Sequence, residues 1–244
     1  MQLIVADDHE AMSREAARAI AEVLKRKPGA SIVIPTGNTP LQTYRELVQL
    51  YKRGEFTTAQ LRPFQLDEYL GLPADDSRSF FGWVRRTFLE PLDIPVERLI
   101  RLNGETDEPE AACRAYDAAV QQAGGFDLAI LGLGSNGHLA FNEPPSDPQS
   151  PTRRVALTEA SITSDGAYWG GRELVPRYAL TCGMTHLLAA LQILLLVSGQ
   201  AKQAILEKTI SAPITPEVPA SYLQQSPNVV VIADKAAWPQ AVPY

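Results

Sequence analysis

At 244 residues the chain is long enough to bury a substantial core, in one large domain or two small ones. With 45% hydrophobic and 20% charged residues it has the make-up of a soluble globular protein. Its net charge of -6 argues against nucleic acid as the main partner, because a phosphate backbone rewards clustered Lys and Arg.

The opening MQLIVADDHE turns acidic after five residues, too short an apolar run for a signal peptide. The densest apolar stretch, 187–197, is about half of a membrane span. A cytoplasmic protein with no membrane partner is expected. Cys113 and Cys182 show no metal-like spacing and read as buried free thiols.

In chain order, 3–6 reads as a short strand and 10–27 as an amphipathic helix. Strand 31–34 ends on Pro35-Thr36-Gly37-Asn38-Thr39-Pro40, a turn that opens a helix over 40–53, with Gly in the turn and Pro at the first helical position. Strand 63–66, helix 79–89, strand 98–101 and helix 109–122 follow. Strand 126–131 ends on Gly132-Leu133-Gly134. Segments 154–157 and 178–181 read as strands flanking a middle rich in Gly and polar residues. Segments 192–197 and 229–233 are continuous β-branched and leucine runs, as strands covered on both faces require. This alternation predicts an α/β fold with a mostly parallel sheet and helices on both faces. No repeat, low-complexity tract or linker interrupts it, so 1–244 is read as a single domain.

Ligands of open parallel sheets sit beyond the carboxyl ends of the strands. Four segments are therefore expected to converge on one site: 36–39, 67–69, 132–143 and 198–202. In the first, the backbone N–H groups of Thr36, Gly37, Asn38 and Thr39 and the two threonine hydroxyls suit an anion, or serve only as a strand–helix turn. In the second, Asp67 and Glu68 are adjacent on an extended segment, so at most one enters the site. A carboxylate there suits moving a proton between neighbouring sugar carbons, although a solvated loop or a helix cap is the commoner role. The third, Gly132-Leu133-Gly134-Ser135-Asn136-Gly137-His138-Leu139-Ala140-Phe141-Asn142-Glu143-Pro144, is the most informative. Its glycines permit close backbone approach, His138 offers an imidazole that can pass a proton between ring oxygen and anomeric hydroxyl, and Glu143 is close enough along the chain to reach the imidazole and set its tautomer. Lys202 follows a strand near a helix start and suits a phosphate contact. His9 and His186 lack such context and are assigned to surface or packing roles, and no metal-ligand cluster is visible.

Taken together, PTGNTP, LDEYLGL, LGLGSNGHLAFNEP, YALTCGM and GQAK stand in the order and spacing of the glucosamine-6-phosphate deaminases, and the chain resembles that family from the first strand to about Ala233. The GHxxFNEP element is the specific part; the related 6-phosphogluconolactonases share a Gly-His loop without it. The resemblance implies a three-layer α/β fold of the kind shared with ribose-5-phosphate isomerase and the coenzyme A transferases. It implies a hydrolase acting on an amino-sugar phosphate, with isomerisation, that yields fructose 6-phosphate and ammonia. His138 would open the pyranose ring with help from Glu143 and Asn136. Asp67 would carry the C2 proton to C1, while Thr36, Gly37, Asn38 and Lys202 would hold the phosphate. It implies no cofactor or metal, and a mobile lid near 153–177.

Two departures bear on the site. Many members carry Asp where this chain has Asn136, and an amide orients His138 without stabilising its cation, so an altered pH dependence is expected. The lid of the family usually offers an Arg to the phosphate within an Ala-Asn-x-Arg-Tyr/Phe-Phe pattern. Here Ala167 stands in its place, and Arg172 is the residue expected to supply the contact from a shifted position. The allosteric tail of longer members has no counterpart. Arg153 matches one activator ligand, but Val155 replaces the next basic residue. A non-allosteric monomer or small homo-oligomer is expected. Galactosamine 6-phosphate or a lactone as substrate, and a non-catalytic sugar-phosphate sensor, are the competing readings.

Overall fold

The computed structural model describes residues 1–239. Its centre is a six-stranded, wholly parallel sheet built from β1 (Gln2–Ala6), β2 (Ser31–Ile34), β3 (Arg62–Gln65), β5 (Leu128–Gly132), β8 (Ile193–Val197) and β9 (Val229–Asp234), in the order β1-β9-β8-β5-β2-β3. Successive residues of each strand enter opposite cores, as the two-residue period of a strand dictates. Ile32, Ile34, Leu128, Ile130, Leu194 and Leu196 pack on α1 (His9–Arg26), α2 (Asn38–Lys52) and the helical run that starts with α3 (Phe80–Val84). Val33, Ala129, Leu131, Leu195, Val197 and Val231 pack on α4 (Pro109–Gln122), α6 (Met184–Leu188) and α7 (Gln203–Ser211). Helices thus cover both faces of the sheet, in three layers. Cys113 and Cys182 are buried free thiols in the second core.

A second, antiparallel sheet of three strands, in the order β4-β7-β6, joins β4 (Asp67–Tyr69), β7 (Tyr178–Thr181) and β6 (Arg153–Ala156). It carries α5 (Glu159–Trp169) over a small apolar cluster of Tyr69, Phe141, Leu157, Ile162, Trp169 and Val175. The strands read at 154–157 and 178–181 exist, but in this separate sheet and not in the parallel one. The strand expected at 98–101 does not form. A 3₁₀ turn, Val96–Arg98, occupies its start, and only Ile100 pairs with β3, bridging to Phe64. The middle segment between 157 and 178 holds α5, which its Gly and polar content concealed. Among the described residues no helix is long and apolar enough to cross a membrane.

Candidate active site

The carboxyl ends of β2, β3, β5 and β8 open into a cavity of about 500 Å³ bordered by residues from all four segments singled out by the sheet rule. Thr36, Gly37, Asn38, Asp67, His138 and Lys202 line it. Asn136 and Glu143 stand behind His138, off the cavity wall.

The turn after β2 ends on Gly37, whose φ of 104° is a left-handed value that glycine adopts without strain. Gly37 caps α2 with no side-chain hydrogen bond and no acidic residue follows in the first turn, so the amides at the start of this fifteen-residue helix remain open to an anion. His9 fixes the same turn through a 3.3 Å contact between Nε2 and the Thr39 carbonyl. Lys202 lies in the short turn Gln200–Lys202 after β8. Burial lowers its pKa, and among the described residues no carboxylate pairs with it. Asp234 shapes that loop, accepting hydrogen bonds from the Ser198 hydroxyl and the Gly199 and Ala237 amides.

The two carboxylates of β4 part company as an extended strand requires. Glu68 turns inward and accepts from Gln65 Nε2 at 2.9 Å, Phe80 N at 3.0 Å and Phe81 N at 2.7 Å, closing the start of α3. Asp67 faces the cavity, 7% exposed, and its carboxylate accepts no hydrogen bond from the described residues. Burial first, then the charges of Glu68 and Asp165, push its pKa well above the usual carboxylate range.

The loop after β5 folds back on itself, with the Gly134 amide donating to the His138 carbonyl at 3.0 Å. A Cβ on Gly134 would lie 2.2 Å from Cδ2 of the His138 ring, so the imidazole seats only against glycine. Its Nδ1 lies 3.2 Å from Glu143 Oε1, within ion-pair reach but out of line for a good hydrogen bond. Among the described residues Nε2 has no hydrogen-bond partner, and the ring borders the cavity. Glu143 also accepts from the Ser161 hydroxyl and, at 2.6 Å, from Asn136 Nδ2. Burial would raise its pKa, yet His138, Ser161 and Asn136 outweigh burial and hold it at about 2. Asn136 does not touch the imidazole ring. Its Oδ1 accepts from the His138 backbone amide at 3.2 Å, so it braces Glu143 and the loop.

Sequence reasoning passed over one wall of this cavity. Ser161, Ser164, Asp165 and Tyr168 of α5 line it, beside Tyr69, Phe80 and Trp83. The Thr158 cap, accepting from the Ser161 amide, and the left-handed Gly170 that ends α5 are the local signals of that helix. Arg172 is not at the cavity. Its guanidinium pairs with Glu159 at the surface, so the contact expected of it at the phosphate is not made. His186 pairs with Asp117 at 2.7 Å, away from the cavity. Among the described residues no group of three or more His, Cys, Asp or Glu side chains is arranged to hold a metal ion.

Residues 7–232 match the family of glucosamine-6-phosphate isomerases and 6-phosphogluconolactonases. The chain belongs to this family. Within it, the chain is 38% identical to the glucosamine-6-phosphate deaminase of Thermoanaerobacter pseudethanolicus, over 97% of this chain and 94% of the relative. It is 40% identical to that of Cutibacterium acnes, over 97% and 91%. A solved monomeric glucosamine-6-phosphate deaminase superposes with a TM-score of 0.95 at 35% identity, covering 97% of this chain and 98% of that one. The 6-phosphogluconolactonase of Thermotoga maritima shares the fold of the family, with a TM-score of 0.74 at 22% identity, over 96% and 99%.

Proposed function

We infer that this protein converts glucosamine 6-phosphate and water to fructose 6-phosphate and ammonia. The observation that carries the reading is Asp67, a buried carboxylate with no hydrogen-bond partner for its side chain among the described residues, on the wall shared with His138 and the open amides of α2. A carboxylate so desolvated binds a proton tightly, as a base that removes a C–H proton must.

The arrangement of the cavity and the family resemblance together support the following steps. The α2 amides, Thr36, Gly37, Asn38 and Lys202 hold the phosphate. His138 Nε2 passes a proton from the anomeric hydroxyl to the ring oxygen and opens the pyranose. Asp67 takes the C2 proton, leaving an enolamine between C1 and C2, and returns the proton to C1. The product is an imine at C2. Water adds there, ammonia leaves, and the ketone remains, which makes the last step a hydrolysis of a C–N bond. Glu143 and Asn136 act as positioning residues, Glu143 stabilising the imidazolium that forms in transit.

In this reading residues 1–244 work as one domain and 153–177 form the lid, with α5 supplying the part of the wall that closes over substrate. The acidic net charge of -6 fits a small sugar phosphate, and not nucleic acid, as the partner. A monomer acting in the cytoplasm, without cofactor, completes the proposal, the monomeric state being that of the solved relative with the TM-score of 0.95.

The test is an assay of ammonia and fructose 6-phosphate on glucosamine 6-phosphate, galactosamine 6-phosphate and 6-phosphogluconolactone in parallel. Both products should appear from the first substrate. Folded protein that releases neither would sink the reading, and lactone hydrolysis without ammonia would choose the hydrolase of neutral sugars. Faster turnover of galactosamine 6-phosphate would reassign the stereochemistry at C4.

A further inference from the structure

Asp165 is a second carboxylate on the cavity wall and takes no step in the isomerisation. It sits on α5, and its Oδ2 accepts a hydrogen bond from the Tyr69 hydroxyl at 2.7 Å. Its Oδ1 has no hydrogen-bond partner among the described residues. Tyr69 is 1% exposed and clamped by three aromatic rings, with centroids at 4.7 Å (Phe80), 5.1 Å (Trp169) and 5.5 Å (Phe141). A phenol so fixed aims the carboxylate, which leaves one oxygen free to meet a ligand.

Charge around the cavity is divided. The α2 amides and Lys202 form a positive part, and no carboxylate acts on Lys202. Burial raises the pKa of Asp165, which lies near enough to His138 and Glu143 to feel both charges and itself acts on Asp67, so the negative groups gather around the imidazole. A ligand with a phosphate at one end and an ammonium group at the other matches this division. A ligand with a hydroxyl in place of the ammonium leaves two desolvated carboxylates without a counter-charge, which is costly. Hydrolysis of a lactone fares worse, since its tetrahedral intermediate places negative charge on the former carbonyl oxygen.

We propose that Asp165, aimed by Tyr69, is a specificity-determining residue that receives the ammonium group of an amino-sugar phosphate and so separates amino sugars from neutral sugar phosphates and lactones. This rests on the deaminase reading and names the residue that would enforce it. The charge of Asp165 carries the selection. Its hydrogen bond to Tyr69 carries the aim.

The test compares two open-chain probes that differ at one group: 2-amino-2-deoxyglucitol 6-phosphate and glucitol 6-phosphate, each titrated by calorimetry. The unaltered protein should bind the amino probe about tenfold more tightly, the size expected for a charge-assisted hydrogen bond over a neutral one. Asp165→Asn should bring the two probes to near parity by weakening the amino probe, with glucitol 6-phosphate bound at least as tightly as before because an uncompensated charge is removed. Tyr69→Phe should keep a preference for the amino probe, because the charge remains. The neutral probe reports folding in each variant, and Asp165→Ser offers the same readout if the amide variant does not fold. A preference that survives Asp165→Asn, or an equal loss of both probes in that variant, overturns the proposal. Ammonia release by the unaltered protein is read separately: release without the predicted loss of preference sinks the role of Asp165 alone, and preference without release sinks the deaminase reading alone.

Discussion

The six-stranded parallel sheet and the three-stranded antiparallel sheet border the same cavity and bring different chemistry to it. The parallel sheet delivers a helix N-terminus, Lys202 and the His138 loop, all at the carboxyl ends of strands buried on both faces. The small sheet delivers Asp67 on β4 and, through α5, Asp165. In the proposed reaction one region would hold the phosphate and support the imidazole, and the other would place a desolvated carboxylate where the C–H bond breaks. Two buried carboxylates mark the contrast. Glu143, with three polar partners, is held at about pKa 2, whereas Asp67, with none, is pushed upward.

Removing the charge of the small sheet should have the largest effect. Asp67→Asn keeps the shape and abolishes the base, so kcat for ammonia release should fall about 10³-fold with KM little changed. A loss below tenfold would move the proton transfer to another group. Glu143→Gln should cost about 10²-fold in kcat, because the imidazolium loses its counter-charge. The same variant has a stability signature with a definite sign. A folded-state pKa near 2, depressed from 4.5, stabilises the fold above the ordinary value and loses that contribution as pH falls from about 4.5 to about 2. The Gln variant should therefore melt lower at pH 7, with the gap closing in acid. A gap independent of pH would assign Glu143 to packing.

On the parallel sheet, Lys202→Ala should raise KM for the sugar phosphate about 30-fold and spare kcat, since it removes binding shared by ground and transition states. A fall in kcat with constant KM would place Lys202 at the reacting carbons.

The two regions also differed in how far the chain revealed them. Runs such as 193–197 and 229–233 are apolar throughout because both faces of their strands are covered, so the parallel sheet and its loops were legible. The strands of the small sheet are short, and β6 alternates between half-buried and exposed, a pattern that fits edge strands and loops equally. Segment 98–101 misled because its apolar pair, Leu99 and Ile100, packs beside β3 while a 3₁₀ turn takes its start. Helix α5 escaped because it buries few apolar residues and carries Gly166 inside, where an added Cβ would meet the Arg172 backbone at 3.3 Å. Asn136 was expected to orient His138, but its side chain meets Glu143 and the His138 backbone amide, partners that follow from a turn geometry that sequence does not encode in any short pattern.

The pH profile sharpens the contrast further. Asp67 must be ionised to accept a proton, and its pKa is raised, so kcat/KM should fall with decreasing pH at values above the ordinary carboxylate pKa of 3.8. The charge of Asp165 contributes to that rise, so Asp165→Asn should shift the acid limb to lower pH. An unmoved limb would mean that another group controls it.

The smallest effect is expected from Arg172→Ala. Arg172 is exposed and pairs with Glu159 on the surface of the lid segment, and the cavity wall supplied by α5 contains serines, an aspartate and a tyrosine but no cation. If phosphate binding belongs to the parallel sheet alone, losing Arg172 should change KM by less than about twofold, as surface ion pairs contribute little. A tenfold rise in KM would show instead that 153–177 swings Arg172 inward when substrate binds. The lid would then share the anion-binding role, and the division of labour between the two sheets would hold only for the open form.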